Sequence, residues 1–338
     1  MIRLNMDKTG KIKAIDEALT KLQLHEKECR LCPRECGADR RGGHLGFCQT
    51  GPSAKLSHAL IHYGEEPALS GSDDCSKNKY DQKQATRSGS GTLFFSGCNL
   101  KCLFCQNYQL SWENYGSIMD DETIAAKMLF LEKKGALNIN LVSPSHVILP
   151  ILRALRIAFK KGLSLPIVYN SNGYEKAETI RHLNGIIDIY LPDLKYFSRG
   201  ISEAYSSAAD YFELASKALG EMYKQQPELH LDSKGIAARG LIIRHLVLPG
   251  HTEDSIQLLD FIAGKISIDV CLSLMSQYYP CYHAPAVITR PLSSKEYEKV
   301  LIHSQRLGFS TLFIQPDSFD TKDHRLPDFK KKAPFIWE

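Results

Sequence analysis

The sequence has no long hydrophobic run and little net charge. No stretch of about 18 or more apolar residues is present, which excludes a membrane-spanning helix of ordinary length. Residues 1–14 alternate in charge and contain no apolar segment, so no signal peptide is predicted. A formal net charge of +4 over 338 residues is too small to indicate a nucleic-acid or membrane partner. With 43% hydrophobic and 24% charged residues, the composition is typical of a soluble globular protein.

Cysteine, by contrast, is abundant. The chain has ten cysteines, and seven of them fall into two groups. Such grouping is typical of metal binding in a reducing compartment rather than of a disulfide scaffold, so a cytoplasmic location is expected.

The first group lies in the segment 91–107, where a run with strand character ends at Gly97 and is followed by Cys98, Cys102 and Cys105. This C-x3-C-x2-C spacing wraps a loop so that three thiolates converge. A four-iron cluster offers four irons, and a structural cluster takes one thiolate on each. Three cysteines would leave one iron open for chemistry, as a catalytic zinc site keeps an open position. A zinc knuckle or a chance grouping is the alternative.

The second group comprises Cys29, Cys32, Cys36 and Cys48, in the spacing C-x2-C-x3-C-x11-C. Four thiolates are enough to close a tetrahedral site without an open position. Zinc and an auxiliary iron–sulfur cluster would both be satisfied by this set. The alternative is four reduced thiols in a loop-rich segment.

From residue 91 to about residue 313, segments with strand and helix patterns alternate, which predicts an α/β fold with parallel strands. A further helix is predicted within residues 1–28, and a short edge strand at 311–314. The predicted strands are 92–96, 138–142, 166–170, 186–191, 241–248 and 267–274. The predicted helices between and after them are 121–134, 148–161, 176–183, 203–225, 253–264 and 293–307.

The cysteine loop resembles the signature of the radical S-adenosylmethionine (SAM) superfamily. The resemblance implies a partial (β/α)6 TIM-like barrel over residues 91–315, and a 4Fe-4S cluster whose open iron chelates S-adenosyl-L-methionine. One electron from the cluster then releases a 5′-deoxyadenosyl radical that abstracts hydrogen. Phe104 matches the aromatic residue beside the adenine. No catalytic residue beyond the cluster ligands is implied.

The resemblance also divides the chain. Residues 1–70 form an N-terminal helix and a four-cysteine extension, whose cysteine–proline–arginine pattern resembles the PflX-like branch related to pyruvate formate-lyase activating enzymes. Residues 71–90 form a polar insertion that contains Cys75, for which no ligand role is expected, and residues 316–338 a C-terminal tail. The tail, with its Pro-Asp-Phe-Lys-Lys-Lys run from residue 327, is predicted to lie on the surface.

Other SAM contacts are implied at the ends of the barrel strands, where such barrels carry their sites. Ser143 and Ser145 stand where the superfamily often has Gly-Gly-Glu, and offer hydroxyls instead of a carboxylate. Asn170 and Asn172 lie in a turn that resembles Asp-Thr-Asn-Gly of glycyl-radical activating enzymes, with Asn170 in place of the acid. The other implied contacts are Asp193 and Lys195 of an Asp-Leu-Lys motif, whose lysine neutralises the SAM carboxylate, and Gln277 or Tyr278 in place of a histidine near the ribose.

Three functions follow from this comparison. The first is a radical SAM enzyme that activates a glycyl-radical enzyme, with a protein substrate and an electron donor such as flavodoxin or ferredoxin. The second is a radical SAM enzyme acting on a small molecule or a peptide, with the second cysteine group as an auxiliary cluster. The third is a non-catalytic iron–sulfur or zinc module.

Overall fold

The computed structural model describes residues 8–71, 88–314 and 326–335. Most of the predicted polar insertion, including Cys75, lies outside these ranges. Within them, no helix is long and apolar enough to cross a membrane.

A mostly parallel sheet forms the centre of the protein. In the ranges given above it has ten strands: β1 (Ala54–His62), β2 (Ser90–Phe95), β3 (Ser117–Met119), β4 (Ile139–Val142), β5 (Ile167–Ser171), β6 (Ile189–Pro192), β7 (His230–Leu231), β8 (Ala237–Leu246), β9 (Cys271–Met275) and β10 (Thr311–Ile314). The strand order is β10-β9-β8-β6-β5-β4-β2-β1-β3, with β7 paired to β8. Neighbours from β2 to β10 are parallel, whereas β1, β3 and β7 pair antiparallel.

The six predicted strands and the predicted edge strand are therefore present, with ends that differ by a few residues. Strands β1, β3 and β7 were not predicted. Because β1 pairs with β2, the predicted N-terminal extension contributes a strand to the central sheet.

Helices lie in the connections between successive parallel strands, as is usual for parallel sheets. Those described are α1 (Lys8–Leu22), α2 (Pro67–Ser70), α3 (Tyr108–Ser111), α4 (Asp121–Lys133), α5 (Ile148–Lys160), α6 (Ala177–Arg181), α7 (Arg199–Ser206), α8 (Tyr211–Gln225), α9 (Thr252–Phe261) and α10 (Ser294–Leu307). The single helix predicted over 203–225 is wrong. Helix α7 ends at Ser206, the next residue, Ser207, has a left-handed φ of +50°, and α8 starts at Tyr211. Helix α10 begins with a capping box between Ser293 and Glu296.

Successive strand residues face opposite sides of the sheet, and both sides are covered. The outer face, which carries Leu93 and Leu141, belongs to the main hydrophobic core together with residues of α4 and α5. The inner face, which carries Val168 and Ile242, packs on Ala68 and Leu69 of α2. Helices on both faces of the sheet explain why these strands are apolar on both sides.

The C-terminal segment 326–335 corrects the prediction of a surface tail. Lys330, Lys331 and Lys332 are exposed, but Phe329 is fully buried. Its ring packs on Phe94 of the inner face, with ring centroids 5.2 Å apart. The buried Phe329 ring anchors this segment, although its three lysines make the sequence look like an exposed tail.

Candidate active site

The first cysteine group lies in one loop, residues 97–107, directly after β2. Gly97 begins it with a φ of +86°, and a Cβ there would lie 2.5 Å from the carbonyl oxygen of Cys48. Only glycine fits this close approach of two backbones. Cys98 and Cys102 are buried, and Cys105 is partly buried.

The three thiols of this cysteine loop lie close enough to influence one another. Burial raises the pKa of Cys98, and that of Cys105 to about 12, and the negative charge of Cys102 adds to both shifts. Buried thiolates that repel one another are stabilised by a nearby positive charge, and the irons of an iron–sulfur cluster supply that charge. In the part of the chain that the structure describes, no three His, Cys, Asp or Glu side chains could hold a single metal ion. A cluster does not require that geometry, because each thiolate binds a different iron. The residues present therefore fit a cluster by their chemistry and burial.

Hydrogen-bond donors surround the cysteine loop. The backbone N–H of Leu100 and the Asn172 Nδ2 each donate to Cys98 Sγ at 3.3 Å. The indole Nε1 of Trp112 donates to the carbonyl oxygen of Cys102 at 2.9 Å. These contacts fix the loop against the end of β5 and against the residues that follow α3.

Two charged residues predicted from the Asp-Leu-Lys motif lie beside the same loop. Lys195 Nζ pairs with Asp193 Oδ2 at 2.5 Å, just after β6. Burial alone would lower the pKa of Lys195, but Asp193 and the neighbouring Cys102 raise it, so the ammonium stays charged. A held cation next to the thiols can neutralise a carboxylate that binds there.

The end of β9 meets the cysteine loop from the other side. The Phe104 ring contacts Tyr278 edge-on, with ring centroids 5.7 Å apart. Gln106 Nε2 donates to the Gln277 carbonyl oxygen at 3.1 Å, and the backbone N–H of His283 donates to Leu103 O at 3.0 Å. Phe104 and Gln277 therefore lie at one edge of the sheet with Asn172 and Lys195, and their contacts to SAM stay predictions.

The two serines predicted after β4 do not share one position. Ser143, with a left-handed φ of +55°, donates its N–H to the carbonyl oxygen of Asn170 at the strand ends. Ser145 is buried and donates its hydroxyl to Glu175, in a cluster on the outer face with Tyr169. The Ser145 hydroxyl is thus engaged by Glu175, and the SAM contacts of both serines stay predictions.

Glu175 is a buried carboxyl that the sequence reasoning missed. It has no exposed surface, and its Oε2 has no hydrogen-bond partner. Burial raises its pKa to about 7, against the opposing effect of the Ser145 hydroxyl. Its position three residues after Asn172, beyond a strand end, was the available signal.

The second cysteine group forms a compact loop segment between α1 and β1. Cys29, Cys32 and Cys48 are buried, whereas Cys36 is exposed. Burial raises the pKa of Cys32 to about 12, and the charges of Cys48 and Cys29 add to the shift. Arg40 Nη2 lies 3.5 Å from Cys48 Sγ. A metal held by these four residues stays a prediction, because the described residues contain no single-ion site.

Arg34, the arginine of the cysteine–proline–arginine pattern, connects the two cysteine groups. Its Nε donates to the carbonyl oxygen of Asn99 at 2.8 Å, and its Nη2 to those of Leu100 and Ser206 at 3.3 and 3.1 Å. Its guanidinium also lies over the Phe47 ring, 4.0 Å from the centroid. The extension is therefore fastened to the backbone of the first cysteine loop.

A second unpredicted arginine organises the inner face below the strand ends. Arg244 Nε and Nη2 donate to both carboxylate oxygens of Glu66 at 2.7 and 2.6 Å, and Nη2 also donates to Glu65. Asn140 donates to Glu65 at 3.0 Å, and Asn170 lies 3.5 Å from Arg244 Nη1. Burial would raise the pKa of Glu65, but Arg244 lowers it to about 2. Asn170 thus lies beside the arginine of this charged cluster, and its contact with SAM stays a prediction.

Comparison with known proteins places these features in a wider context. A family model described as the radical SAM superfamily matches residues 92–262, half of the chain. An uncharacterized protein of Methanocaldococcus jannaschii is 29% identical over 298 residues, which cover 85% of this chain and 77% of that protein.

Two solved structures are also similar. SuiB of Streptococcus suis aligns with a TM-score of 0.40 and 13% identity, over 67% of this chain and 47% of SuiB. Methylornithine synthase (PylB) aligns with a TM-score of 0.42 and 14% identity, over 67% of this chain and 70% of that chain. The chain thus spans less than half the length of SuiB.

Proposed function

Since the chain belongs to the radical SAM superfamily, we propose that it is an enzyme that cleaves SAM reductively at a 4Fe-4S cluster held by Cys98, Cys102 and Cys105. The observation that carries the proposal is one loop, at the end of a parallel strand, that holds two buried cysteines and one partly buried cysteine whose charges influence one another. When bound, the cluster supplies the single electron that breaks the sulfonium bond and yields a 5′-deoxyadenosyl radical.

The protein's own residues then bind and orient SAM. Lys195, held by Asp193 at 2.5 Å, is charged and placed to bind the SAM carboxylate. Phe104 offers an apolar ring to the adenine, and its contact with Tyr278 fixes that ring. Gln277 and the backbone around Ser143 are the polar groups left for the ribose and the amino group.

We further propose that the parallel strands curve into a partial (β/α)6 barrel with α2 in its interior. What supports this is the succession of parallel strands with helices outside and Ala68 and Leu69 inside. The Cys-Pro-Arg sequence at 32–34 supports the PflX-like branch, since Arg34 ties the extension to the cysteine loop. An electron donor such as flavodoxin or ferredoxin is the proposed redox partner.

A specific observation favours a small-molecule or peptide substrate over a folded glycyl-radical enzyme. The segment 326–335 covers the inner face of β1 and β2, where Phe329 and Phe335 pack on Phe94. Gln109, which follows the cysteine loop, accepts the N–H of Phe329 at 2.6 Å. A bulky protein loop would have to displace this segment in order to approach through that side. A second cluster at Cys29–Cys48 would then serve as an auxiliary relay.

The test is spectroscopic. Anaerobically reconstituted protein is assayed for iron and sulfide, reduced with dithionite and examined by electron paramagnetic resonance (EPR) with and without SAM. We expect a reduced-cluster signal that SAM alters, and the loss of that signal in Cys98→Ala. Cys271→Ala, a buried cysteine of β9, is the control and should keep it. A wild-type signal that SAM leaves unchanged would contradict SAM binding at the cluster.

A further inference from the structure

The Asn172 side chain has a fixed orientation next to Cys98. Its Oδ1 accepts the backbone N–H of Tyr174 at 2.9 Å, and its Nδ2 donates to Asn99 Oδ1 at 2.8 Å and to Cys98 Sγ at 3.3 Å. Asn99 is oriented in turn, because its own Nδ2 donates to the carbonyl oxygen of Tyr174 at 2.6 Å. The backbone of Tyr174 therefore sets the orientation of both amides, and the Asn172 Nδ2 faces Cys98 Sγ.

This geometry leaves Asn172 little capacity to bind SAM. A primary amide has two N–H donors, and here one reaches Asn99 and the other Cys98. The residue is also 8% exposed. Its hydrogen bonds are thus made within the protein, towards a cluster ligand.

We propose that Asn172 is a positioning residue that raises the reduction potential of the cluster through its N–H to Cys98 Sγ. This inference rests on the proposed function, since it requires a cluster at Cys98, Cys102 and Cys105. It assigns Asn172 to the tuning of electron transfer instead of to SAM recognition.

The physical reason is charge. One-electron reduction adds negative charge to the cluster and its cysteine sulfurs, with no bond made or broken at Asn172. An N–H dipole aimed at the sulfur stabilises the reduced state more than the oxidised state, and hydrogen bonds to sulfur are among the factors that set such potentials. Cys98 Sγ interacts with the backbone N–H groups of Leu100 and Lys101 and with Asn172, and of these donors only the Asn172 side chain can be removed by substitution.

The experiment is a redox titration of the reconstituted protein without SAM, followed by EPR. Asn172→Ala should make the cluster about tenfold harder to reduce, which for one electron is a midpoint about 59 mV lower. Asn172→Asp retains the shape and the acceptor for Tyr174 but replaces the donor with a carboxylate, so its midpoint should fall further. Asn184→Ala is the control, because that asparagine is exposed just after α6, and its midpoint should equal that of the wild type.

Two results would overturn the proposal. One is an Asn172→Ala or Asn172→Asp protein that has full iron content and the wild-type midpoint. The other is loss of the cluster from both variants, which would assign Asn172 a role in assembly instead of tuning. Failure of the proposed function is distinguishable from both, because the wild type itself would then show no reducible cluster.

Discussion

Replacing Arg244 with methionine is expected to destabilise the protein strongly. The side chain neutralises Glu65 and Glu66, whose own side chains are only 6% exposed. Methionine has similar length but no charge, so Glu66 would lose its counterion and Glu65 would keep only His62, whose Nδ1 lies 3.2 Å from the Glu65 Oε1. Losing one partner of a buried pair costs roughly 3–5 kcal/mol.

The structure gives an independent magnitude. The pKa of Glu65 falls from 4.5 to about 2 in the folded protein. At about 1.4 kcal/mol per pKa unit, this shift is worth roughly 3 kcal/mol. Because the pKa is depressed, that stability is present above pH 4.5 and is lost as the pH falls through 2.

Urea unfolding at pH 7, followed by circular dichroism, measures the loss. Arg181→Met is the control, because Arg181 is 64% exposed and lies 3.6 Å from Glu221, and such surface pairs contribute at most about 1 kcal/mol. A triple variant that adds Glu65→Gln and Glu66→Gln should regain part of the stability, since no unpaired charge remains buried. A loss in Arg244→Met no larger than that of the control would refute the reasoning.

Three other substitutions have defined outcomes. Glu175→Gln should stabilise the protein in urea at pH 8 by up to about 3 kcal/mol. Burial raises the pKa of Glu175 from 4.5 to about 7, so the free energy of unfolding of the wild type falls as the pH rises from 4.5 through 7. Phe329→Ala should lose about 3–5 kcal/mol in the same assay because the ring is fully buried, whereas Phe130→Ala, at a ring 52% exposed, should lose little. Elemental analysis should show that Cys29→Ala loses the metal of the second group but keeps the iron held by the Cys98 loop, and that Cys98→Ala does the reverse.

Each of these three predictions has an outcome that would contradict it. A Glu175→Gln variant no more stable than the wild type at pH 8 would mean that the carboxylate has a compensating partner. Equal losses in Phe329→Ala and Phe130→Ala would contradict an anchored C-terminal segment. Unchanged metal content in Cys29→Ala would remove the second metal site, and iron or zinc in the wild type decides its chemistry.

The parallel core of the fold could be predicted because its strands are short apolar runs between helical patterns. Strand β1 was missed because Ala54–His62 alternates apolar and polar residues only as far as Ser57, and the alternation breaks at His58, where the register with β2 shifts. The break between α7 and α8 has no glycine or proline to mark it; Ser207 adopts the left-handed conformation there. Local sequence preference does not predict such features, because tertiary packing determines them.

The cysteine loop and the Asp193–Lys195 pair were predictable because their spacing is local. The contacts of Arg244 with Glu66 join residues 178 positions apart, and Arg34 reaches Asn99 over 65 positions. No short pattern marks such pairs. The contact of Ser145 with Glu175 could not be predicted either, because the turn after β4 carries the chain out of the strand alternation.

Reductive cleavage of SAM is the most direct test of the account. Reconstituted protein is incubated anaerobically with SAM and dithionite, and 5′-deoxyadenosine is quantified by chromatography. The account predicts that the wild type forms this product and that Cys98→Ala, Cys102→Ala and Cys105→Ala do not. Fully loaded wild-type protein that forms no 5′-deoxyadenosine, or formation that persists without these cysteines, would contradict it.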